Sequence, residues 1–245
     1  MSSKFQMFAG LAITATLAVA ATAAIDNSTR PAADIERDAV RKPAAMVAFA
    51  KIKPGQTVVD MLPGGGYFTR VFAQAVGPKG KVIALVPDQY AAANPAMGTN
   101  ITKLAAEPAY ANVEAAIRSL LAVGEPGTID RVFTAQNYHD LRSIKLPAQT
   151  GEAVNRAVFA ALKPGGMYII IDHSAAAGSG VRDVDTLHRI DAATLKAEVV
   201  SVGFKFAGES KLLANKADDR SKNVFDPAIR GKTDQFVYRF EKPKK

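Results

Sequence analysis

The alternation of short apolar runs with amphipathic stretches is the feature of this chain that most constrains its fold. Between the runs, apolar residues recur at helical spacing, as at Phe68, Val71, Phe72 and Ala75. The runs that predict strands are QTVVDML, KVIALV, NVEAAI, IDRVFTA and MYIIID. Strands that alternate with helices predict an α/β fold: a doubly wound, mostly parallel sheet covered by helices on both faces.

The last part of the chain departs from this alternation. After the loop SAAAGSG, Asp191 is placed to cap a helix whose Leu195 and Val199 face inward. Two further strand patterns, FKFAGESKLL and QFVYRF, follow with only the polar segment 214–234 between them. Because no strong helix separates them, we expect an antiparallel pair at one edge of the sheet. The segment itself has the length of a lid over a site or of an extended hairpin connection.

The N-terminus has the pattern of a secretory signal peptide over residues 1–24. A basic start with Lys4 precedes an almost uncharged apolar run that ends in ATAA, which is typical of a cleavage site. An uncleaved membrane anchor is the alternative, because about 20 apolar residues can span a bilayer. The chain has no cysteine, so neither a disulfide nor a lipoprotein anchor is predicted. We expect a periplasmic or secreted protein with a single domain over residues 25–245.

Composition and charge exclude several classes of protein. With 245 residues, of which 48% are hydrophobic and 22% charged, the chain can bury a sizeable core, and neither disorder nor a fibre is predicted. The formal net charge is +8, but the basic residues are scattered and lack the aromatic interleaving of nucleic-acid sites. No apolar run after the signal peptide is long enough to cross a membrane. We therefore expect a small-molecule ligand, no nucleic-acid partner and no membrane span after cleavage.

A glycine-rich loop follows the first predicted strand, in the stretch VVDMLPGGGYFTR of residues 58–70. Asp60 ends the strand, and Gly64, Gly65 and Gly66 precede a helix. In doubly wound sheets, ligands bind beyond the carboxyl ends of the strands. Glycine lets the backbone approach a ligand closely, and a helix N-terminus adds free N–H groups and a positive dipole end. The loop therefore predicts a site for a nucleotide-type cofactor.

Four segments resemble the class I S-adenosylmethionine-dependent methyltransferases, and more narrowly their exported bacterial relatives. The segments are VVDMLPGGGYFT, GKVIALVP, IDRVFTAQNYHDL and LKPGGMYIIIDHS. The resemblance implies a seven-stranded sheet of order 3-2-1-4-5-7-6 with the seventh strand antiparallel, and S-adenosylmethionine as the cofactor. The residues that it places around the cofactor are Asp60, Gly64, Gly65, Gly66, Asn137 and Tyr138, the last two shaping the methyl-donor pocket.

The chain departs from the pattern of this family in three places. The family usually has glycine two residues after the acid of the first motif, where this chain has Leu62. The usual ribose-binding acid aligns with Val86, and Arg118 and Ser119 stand at the adenine-side position. A lost charge-assisted hydrogen bond, about 1.5–3 kcal/mol, weakens binding about ten- to a hundredfold. Asp88 is the nearest carboxylate that can replace it, so we predict that Asp88 binds the cofactor.

The three histidines of the chain map to the ligand-facing edge of the predicted sheet. His139 follows the fourth strand, His173 follows the fifth, and His188 precedes the next helix. Methyl transfer needs the acceptor held in line with the sulfonium methyl, and a hydroxyl or amine acceptor also needs its proton removed. We predict that His139 or His173 is the base, oriented by Asp140 or Asp172. The alternative for each histidine is a structural role at a strand end.

These patterns predict an exported methyltransferase that acts on a small or envelope-associated acceptor. The alternative is an exported, non-catalytic binding protein that retains the fold and the pocket, because S-adenosylmethionine is made inside the cell. A nicotinamide-dependent oxidoreductase is disfavoured, since the first turn lacks G-x-G-x-x-G spacing. A metal site of two histidines and an aspartate is conceivable, but the spacing of the histidines matches no zinc motif, so no metal site is predicted.

Overall fold

A computed structural model describes residues 25–147 and 149–244 of the chain. The predicted signal peptide, residues 1–24, lies outside the described residues and stays a prediction. Within the described ranges, no helix combines the length and the hydropathy that crossing a bilayer requires.

Seven strands form one sheet at the centre of the described chain. They are β1 (Thr57–Met61), β2 (Lys81–Pro87), β3 (Val113–Arg118), β4 (Ile129–Ala135), β5 (Leu162–His173), β6 (Lys205–Ser210) and β7 (Gln235–Glu241). Their order across the sheet is β3-β2-β1-β4-β5-β7-β6. Strands β1 to β5 pair in parallel, whereas β7 pairs antiparallel with both β5 and β6. The predicted strand order and the antiparallel seventh strand are confirmed.

Helices cover both faces of the sheet. They are α1 (Ala32–Ile35), α2 (Asp38–Arg41), α3 (Pro43–Ala50), α4 (Tyr67–Val76), α5 (Asp88–Ala93), α6 (Pro95–Ala106), α7 (Thr150–Ala161) and α8 (Ala192–Ser201), with 3-10 turns at Pro108–Tyr110 and His139–Arg142. Phe72 of α4 lies in one apolar cluster with Val58 of β1, and Val158 of α7 lies in a second cluster with Val59. Because successive side chains of a strand point to opposite faces, β1 contributes to both cores.

The fifth strand begins earlier than the sequence predicts. The pattern MYIIID predicts a strand over residues 167–172, whereas β5 begins at Leu162, directly after α7. The register with β4 changes between the pairs Ile129↔Leu162 and Arg131↔Met167. The KPGG segment therefore bulges out of the ladder, and the left-handed φ of +77° at Gly165 suits glycine.

A buried ion pair anchors the polar segment 214–234 beside the carboxyl end of β5. Arg189 is fully buried and pairs with Asp218 at 2.8 Å, and it also donates to the carbonyl of Ser174 at 3.0 Å. Asp218 in turn accepts a hydrogen bond from the backbone N–H of Asp234 at 2.6 Å. The segment is thereby fixed as a wall at the edge of the sheet where the parallel strands end.

Candidate active site

Two neighbouring cavities lie where the parallel strands end. The loop cavity, about 270 Å³, is lined by the glycine-rich loop and by residues just after β4. The wall cavity, about 450 Å³, is lined by His173 at the end of β5 and by part of the 214–234 segment. The residues that border both cavities are Arg37, Arg41, Phe68, Ala135 and Gln136. The two spaces therefore meet over the segment that follows β4.

The glycines of the loop have two different tasks. Gly64 and Gly65 line the loop cavity, and a Cβ added to either would meet no atom within 4 Å. A ligand can therefore lie directly against this backbone. Gly66 instead starts α4 with a left-handed φ of +81°, and a Cβ there would collide with the side chain of Leu104. Its task is to make the turn.

Leu62 stands where the family usually has glycine, and its backbone is left-handed with a φ of +59°. Its N–H donates to the carbonyl of Leu85 at 2.9 Å, and its own carbonyl accepts from Asn137 Nδ2 at 3.0 Å. The side chain is 8% exposed and packs into the core beside the loop cavity. A left-handed non-glycine residue costs about 1–2 kcal/mol. Burial and these hydrogen bonds offset that cost.

Asp60 lies in the loop cavity, at the position where the sequence predicts a cofactor-binding residue. Thr69 Oγ1, in the first turn of α4, donates to Asp60 Oδ2 at 2.6 Å. Burial raises the pKa of Asp60 to about 7, although Thr69 and Arg41 favour the ionised form. Near neutral pH the carboxyl group can therefore accept or donate a hydrogen bond to a ligand.

Asn137 and Tyr138 are adjacent in sequence but lie in different environments. Asn137 lines the loop cavity, and its predicted role at the methyl donor stays a prediction. Tyr138 is fully buried in the core, where its hydroxyl donates to Glu198 at 3.1 Å and accepts from Asn155 at 2.8 Å. The side chain of Tyr138 therefore does not shape the pocket that the sequence analysis assigned to it, because its ring packs inward.

The end of β2 contributes no carboxylate to the lining of the loop cavity in place of the ribose-side acid. Val86 is buried, and Asp88 is exposed at the start of α5, where it accepts a hydrogen bond from the N–H of Gln89 at 2.8 Å. Asp88 lies outside the residues that line the loop cavity, whereas Tyr90 and Met97 border it. The predicted cofactor-binding role of Asp88 would require its side chain to turn toward the loop cavity, and this role stays a prediction.

His139 is held by the carboxylate of Asp172. The ring Nδ1 lies 2.8 Å from Asp172 Oδ1, and the backbone N–H of His139 donates to Asp172 Oδ2 at 2.7 Å. Both side chains are buried, at 3% and 0% exposed. Burial opposes charge on both groups, yet the charge of Asp172 raises the pKa of His139, and His139 holds the pKa of Asp172 below its usual range. Asp172 thus orients His139, one of the predicted pairings.

His173 lies in the wall cavity and has a different partner. Its Nδ1 is 2.8 Å from Thr233 Oγ1, while Asp172 contacts only its backbone N–H, at 2.8 Å. Burial lowers the pKa of His173 to about 4, so the ring is neutral at physiological pH. Of the two predicted bases, His173 lines a cavity and His139 lines neither of the two described above.

The structure brings His188 to the adjacent residues His139 and Asp140, which lie 48 positions or more before it in sequence. His139 Nε2 lies 3.4 Å from Asp140 Oδ1, and His188 Nδ1 lies 3.9 Å from the same oxygen. The rings of His139 and His188 meet edge to face, with centroids 5.4 Å apart. Asp140 also lines the loop cavity, and burial raises its pKa. The sequence placed the three histidines at this edge of the sheet, but their spacing did not predict that His188 meets Asp140.

Arginines that the sequence analysis did not single out border the cavities. Arg37 and Arg41 border both, and Arg230 from the 214–234 segment borders the wall cavity. Arg41 donates to Gln136 at 3.1 Å and lies over the ring of Phe68. Burial lowers the pKa of Arg41 to about 10, so it stays charged at neutral pH. The spacing of Arg37 and Arg41, one helical turn apart, is the only sequence signal that links two of them.

Comparison with known proteins agrees with this architecture. The family model for protein-L-isoaspartate (D-aspartate) O-methyltransferase matches residues 23–118, which contain the glycine-rich loop. A search of curated protein sequences finds no match.

Solved structures share the fold at low sequence identity. A SAM-dependent methyltransferase from Aquifex aeolicus is 16% identical, with 84% of this chain and 93% of that chain covered and a TM-score of 0.61. An arsenic(III) S-adenosylmethionine methyltransferase from Chlamydomonas reinhardtii is 18% identical, with 84% and 73% covered and a TM-score of 0.52. The [4+2]-cyclase SpnF is 14% identical, with 89% and 85% covered and a TM-score of 0.59.

These likenesses establish only the fold, because the sequence identities are low. One of the similar chains is named as a cyclase, so the fold alone does not fix the reaction. The family model adds a match in sequence over the first motif and the second strand. Together with the strand order and the glycine-rich loop, these matches show that the chain has the fold of the class I S-adenosylmethionine-dependent methyltransferases.

Proposed function

We propose that this protein transfers a methyl group from S-adenosylmethionine to a small, negatively charged acceptor. The observation that carries the proposal is the meeting of two cavities over Ala135 and Gln136. One is lined by the glycine loop and the other by a neutral histidine and an arginine. Such an arrangement holds two reactants next to each other, which is the main requirement of methyl transfer.

The loop cavity has the groups that fit the methyl donor. When bound, S-adenosylmethionine supplies an electrophilic methyl group on a positively charged sulfur. The open backbone at Gly64 and Gly65 admits close approach, and the side chains of Asp60 and Asn137 offer hydrogen bonds. Small-molecule pockets occupy about 300–1,000 Å³, so the two joined cavities have the size for a cofactor together with a small acceptor.

The wall cavity has the groups that fit an anionic acceptor. Arg230 lines this cavity and not the loop cavity, and no hydrogen bond or ion pair of its guanidinium occurs within the described residues. A guanidinium binds carboxylate or phosphate oxygens in a fork geometry. His173 is neutral, so its ring can accept a hydrogen bond from an acceptor hydroxyl or amine. With a pKa of about 4 it is a weak base, so its role here is to orient the acceptor.

The proposal is tested first by ligand binding. Calorimetry and thermal-shift measurements with S-adenosylmethionine and S-adenosylhomocysteine use the chain from residue 25 onward. We expect saturable binding of both, and weaker binding by Asp60→Ala. No heat and no thermal stabilisation at about millimolar ligand would exclude a cofactor-dependent function and leave the non-catalytic binding protein.

The charge of the acceptor is tested by turnover. Acceptor candidates are supplied in pairs, each acid with its neutral amide, and release of S-adenosylhomocysteine is measured. We expect turnover with the anionic members, and a KM about tenfold higher in Arg230→Gln, equivalent to about 1.4 kcal/mol, with unchanged affinity for S-adenosylmethionine. Preference for the neutral members would contradict the anionic acceptor.

We also propose that the protein works outside the cytoplasm. The basic start, the apolar run and the small residues before position 25 support export. Mass spectrometry of the protein recovered from periplasmic extract of the expressing bacterium should give a mature N-terminus near Ala24 or Ile25. An intact Met1 in a cytoplasmic fraction would contradict export.

A further inference from the structure

We propose that His139, Asp140 and His188 bind a divalent transition-metal ion of the Zn²⁺ class. One ligand atom from each of these residues lies within 4.8 Å of the others. Both histidines approach the same oxygen of Asp140: Oδ1 lies 3.4 Å from His139 Nε2 and 3.9 Å from His188 Nδ1. These separations match donor atoms placed around one ion, because Zn–N and Zn–O bonds of about 2.0–2.2 Å bring ligand atoms roughly this close to each other.

Asp172 fixes His139 in the form that a metal ligand needs. The carboxylate of Asp172 accepts the backbone N–H groups of His139 and His173 and contacts His139 Nδ1 at 2.8 Å. Because the carboxylate is an acceptor, Nδ1 carries the hydrogen, and Nε2 is the atom that faces Asp140. Metal-binding histidines usually donate their second ring N–H to a carboxylate in this way. Asp172 therefore holds His139 in the tautomer and orientation that a metal ligand needs.

The contact between His139 and Asp140 brings a ring nitrogen to a carboxyl oxygen. With hydrogen on His139 Nδ1, the Nε2 lone pair faces Asp140 Oδ1 at 3.4 Å, and a proton on either atom or a bound cation can lie between them. His188 adds a second nitrogen within 4.8 Å, which gives the group three donor atoms for one ion.

The donor set indicates the class of metal. Two imidazoles with one carboxylate suit Zn²⁺ and Fe²⁺, whereas Mg²⁺ and Ca²⁺ prefer oxygen donors only. Three protein ligands leave at least one position for water or for an oxygen of a ligand. Asp140 lines the loop cavity, so an ion held by this residue would lie at the border of that cavity. This proposal does not depend on methyl transfer.

The test uses tag-free protein that has been treated with chelator and dialysed. Calorimetry with Zn²⁺ and visible absorption with Co²⁺ report binding without any assay of activity. We expect about one equivalent per chain with a Kd of about 1 µM or tighter, and Co²⁺ absorption bands typical of low coordination number. His188→Ala should weaken binding at least about a hundredfold, and Asp172→Asn about ten- to a hundredfold through loss of its orienting hydrogen bond.

His173→Gln is the matched control, because it removes a nearby imidazole that lies outside the cluster. It should bind Zn²⁺ as the unaltered chain does. Circular dichroism and urea unfolding show that each variant is folded; His188 is 32% exposed, so its replacement tests the site even if Asp172→Asn fails to fold. Absence of Zn²⁺ and Co²⁺ binding at about 100 µM would overturn the proposal in favour of a protonated His139. Undiminished binding by folded His188→Ala would overturn it as well.

Discussion

The loop cavity and the wall cavity share one edge of the sheet, but the chain builds them differently. The loop cavity takes Asp60, Gly64 and Gly65 from a single strand–turn–helix unit. The wall cavity combines Arg37 near the N-terminus, His173 at the end of β5 and Arg230 from the 214–234 segment. The glycine-rich side of the loop cavity is a local structure whose shape follows from a few neighbouring residues, and Tyr90, Met97 and Asn137 complete its lining. The wall cavity exists only when distant segments are fixed against each other.

Under the proposed function, this difference separates cofactor binding from acceptor choice. The loop cavity depends on backbone geometry, which any chain with this unit can reproduce. The wall cavity depends on side chains from segments that vary without disturbing the sheet, because loops carry function on a stable scaffold. We therefore expect a substitution that disrupts the structure of one cavity to leave the structure of the other largely unchanged.

The largest expected effect is on the wall cavity, in Arg189→Met. This change breaks the buried pair with Asp218 and leaves an unpaired carboxylate. We expect the free energy of unfolding to fall by about 3–5 kcal/mol, measured by urea denaturation. Hydrogen exchange should accelerate in the 214–234 segment and stay unchanged in the glycine-rich loop.

Arg182→Met is the control for this prediction. Arg182 also pairs with an aspartate, Asp183, at 2.8 Å, but it is 68% exposed. Exposed pairs contribute about 0–1 kcal/mol, so this variant should unfold nearly as the original chain does. Equal losses in the two variants, or faster exchange in the glycine-rich loop of Arg189→Met, would show that the cavities are not separate units.

The next effect is a difference in how one buried group from each cavity makes the unfolding free energy depend on pH. Folding raises the pKa of Asp60 from 3.8 to about 7, so between these values the folded chain holds a proton that the unfolded chain has lost. Stability therefore falls as the pH rises through this window. Relative to Asp60→Asn, the unfolding free energy of the original chain should drop by up to about 3 kcal/mol between about pH 4 and pH 7.

His173 should show the opposite slope. Its folded pKa of about 4 lies below the ordinary 6.5, so the unfolded chain binds the extra proton and stability is lost as the pH falls from about 6.5 to 4. Urea unfolding of the original chain, Asp60→Asn and His173→Gln across this range measures both slopes. Two differences in unfolding free energy are compared: the original chain minus Asp60→Asn, and the original chain minus His173→Gln. If both differences change with pH in the same direction, the contrast between the cavities is wrong.

The smallest of these effects compares two adjacent glycines. Gly66→Ala places a Cβ against Leu104 at a left-handed φ of +81°, so we expect it to lower the unfolding free energy by about 1–3 kcal/mol. Gly65→Ala meets no atom within 4 Å and should change stability by less than about 0.5 kcal/mol. Calorimetric melting compares the two. If Gly65→Ala is as destabilising as Gly66→Ala, the division of tasks within the loop is incorrect.

Much of the fold could be predicted because its signals are local. The apolar run before Asp60, the helical stripe through Phe72 and the strand pattern at Ile169 each depend on a few neighbouring residues. The right-handed crossover rule and the carboxyl-edge rule then bring the strand ends to one place. Asp60, Gly64 and Gly65 could be located by this reasoning alone.

The rest of the site could not be predicted because it depends on contacts across the chain. Nothing near Arg230 in sequence indicates that its segment is held by Arg189. Tyr138 follows Asn137 directly, yet it points into the core, because the chain turns after β4. The meeting of His188 with Asp140 likewise depends on the path of the loop after β5, which no periodicity encodes.

The left-handed backbone at Leu62 has a consequence for how relatives of this chain are to be found. A search pattern that requires glycine at this position would pass over the chain, although its loop still has a conformation that favours glycine. The features that keep the conformation are a buried leucine side chain and the amide of Asn137, 75 positions further along the chain. Leucine at this position combined with asparagine after the fourth strand is therefore how this chain keeps the turn without glycine, and a search for other such loops can start from this pair.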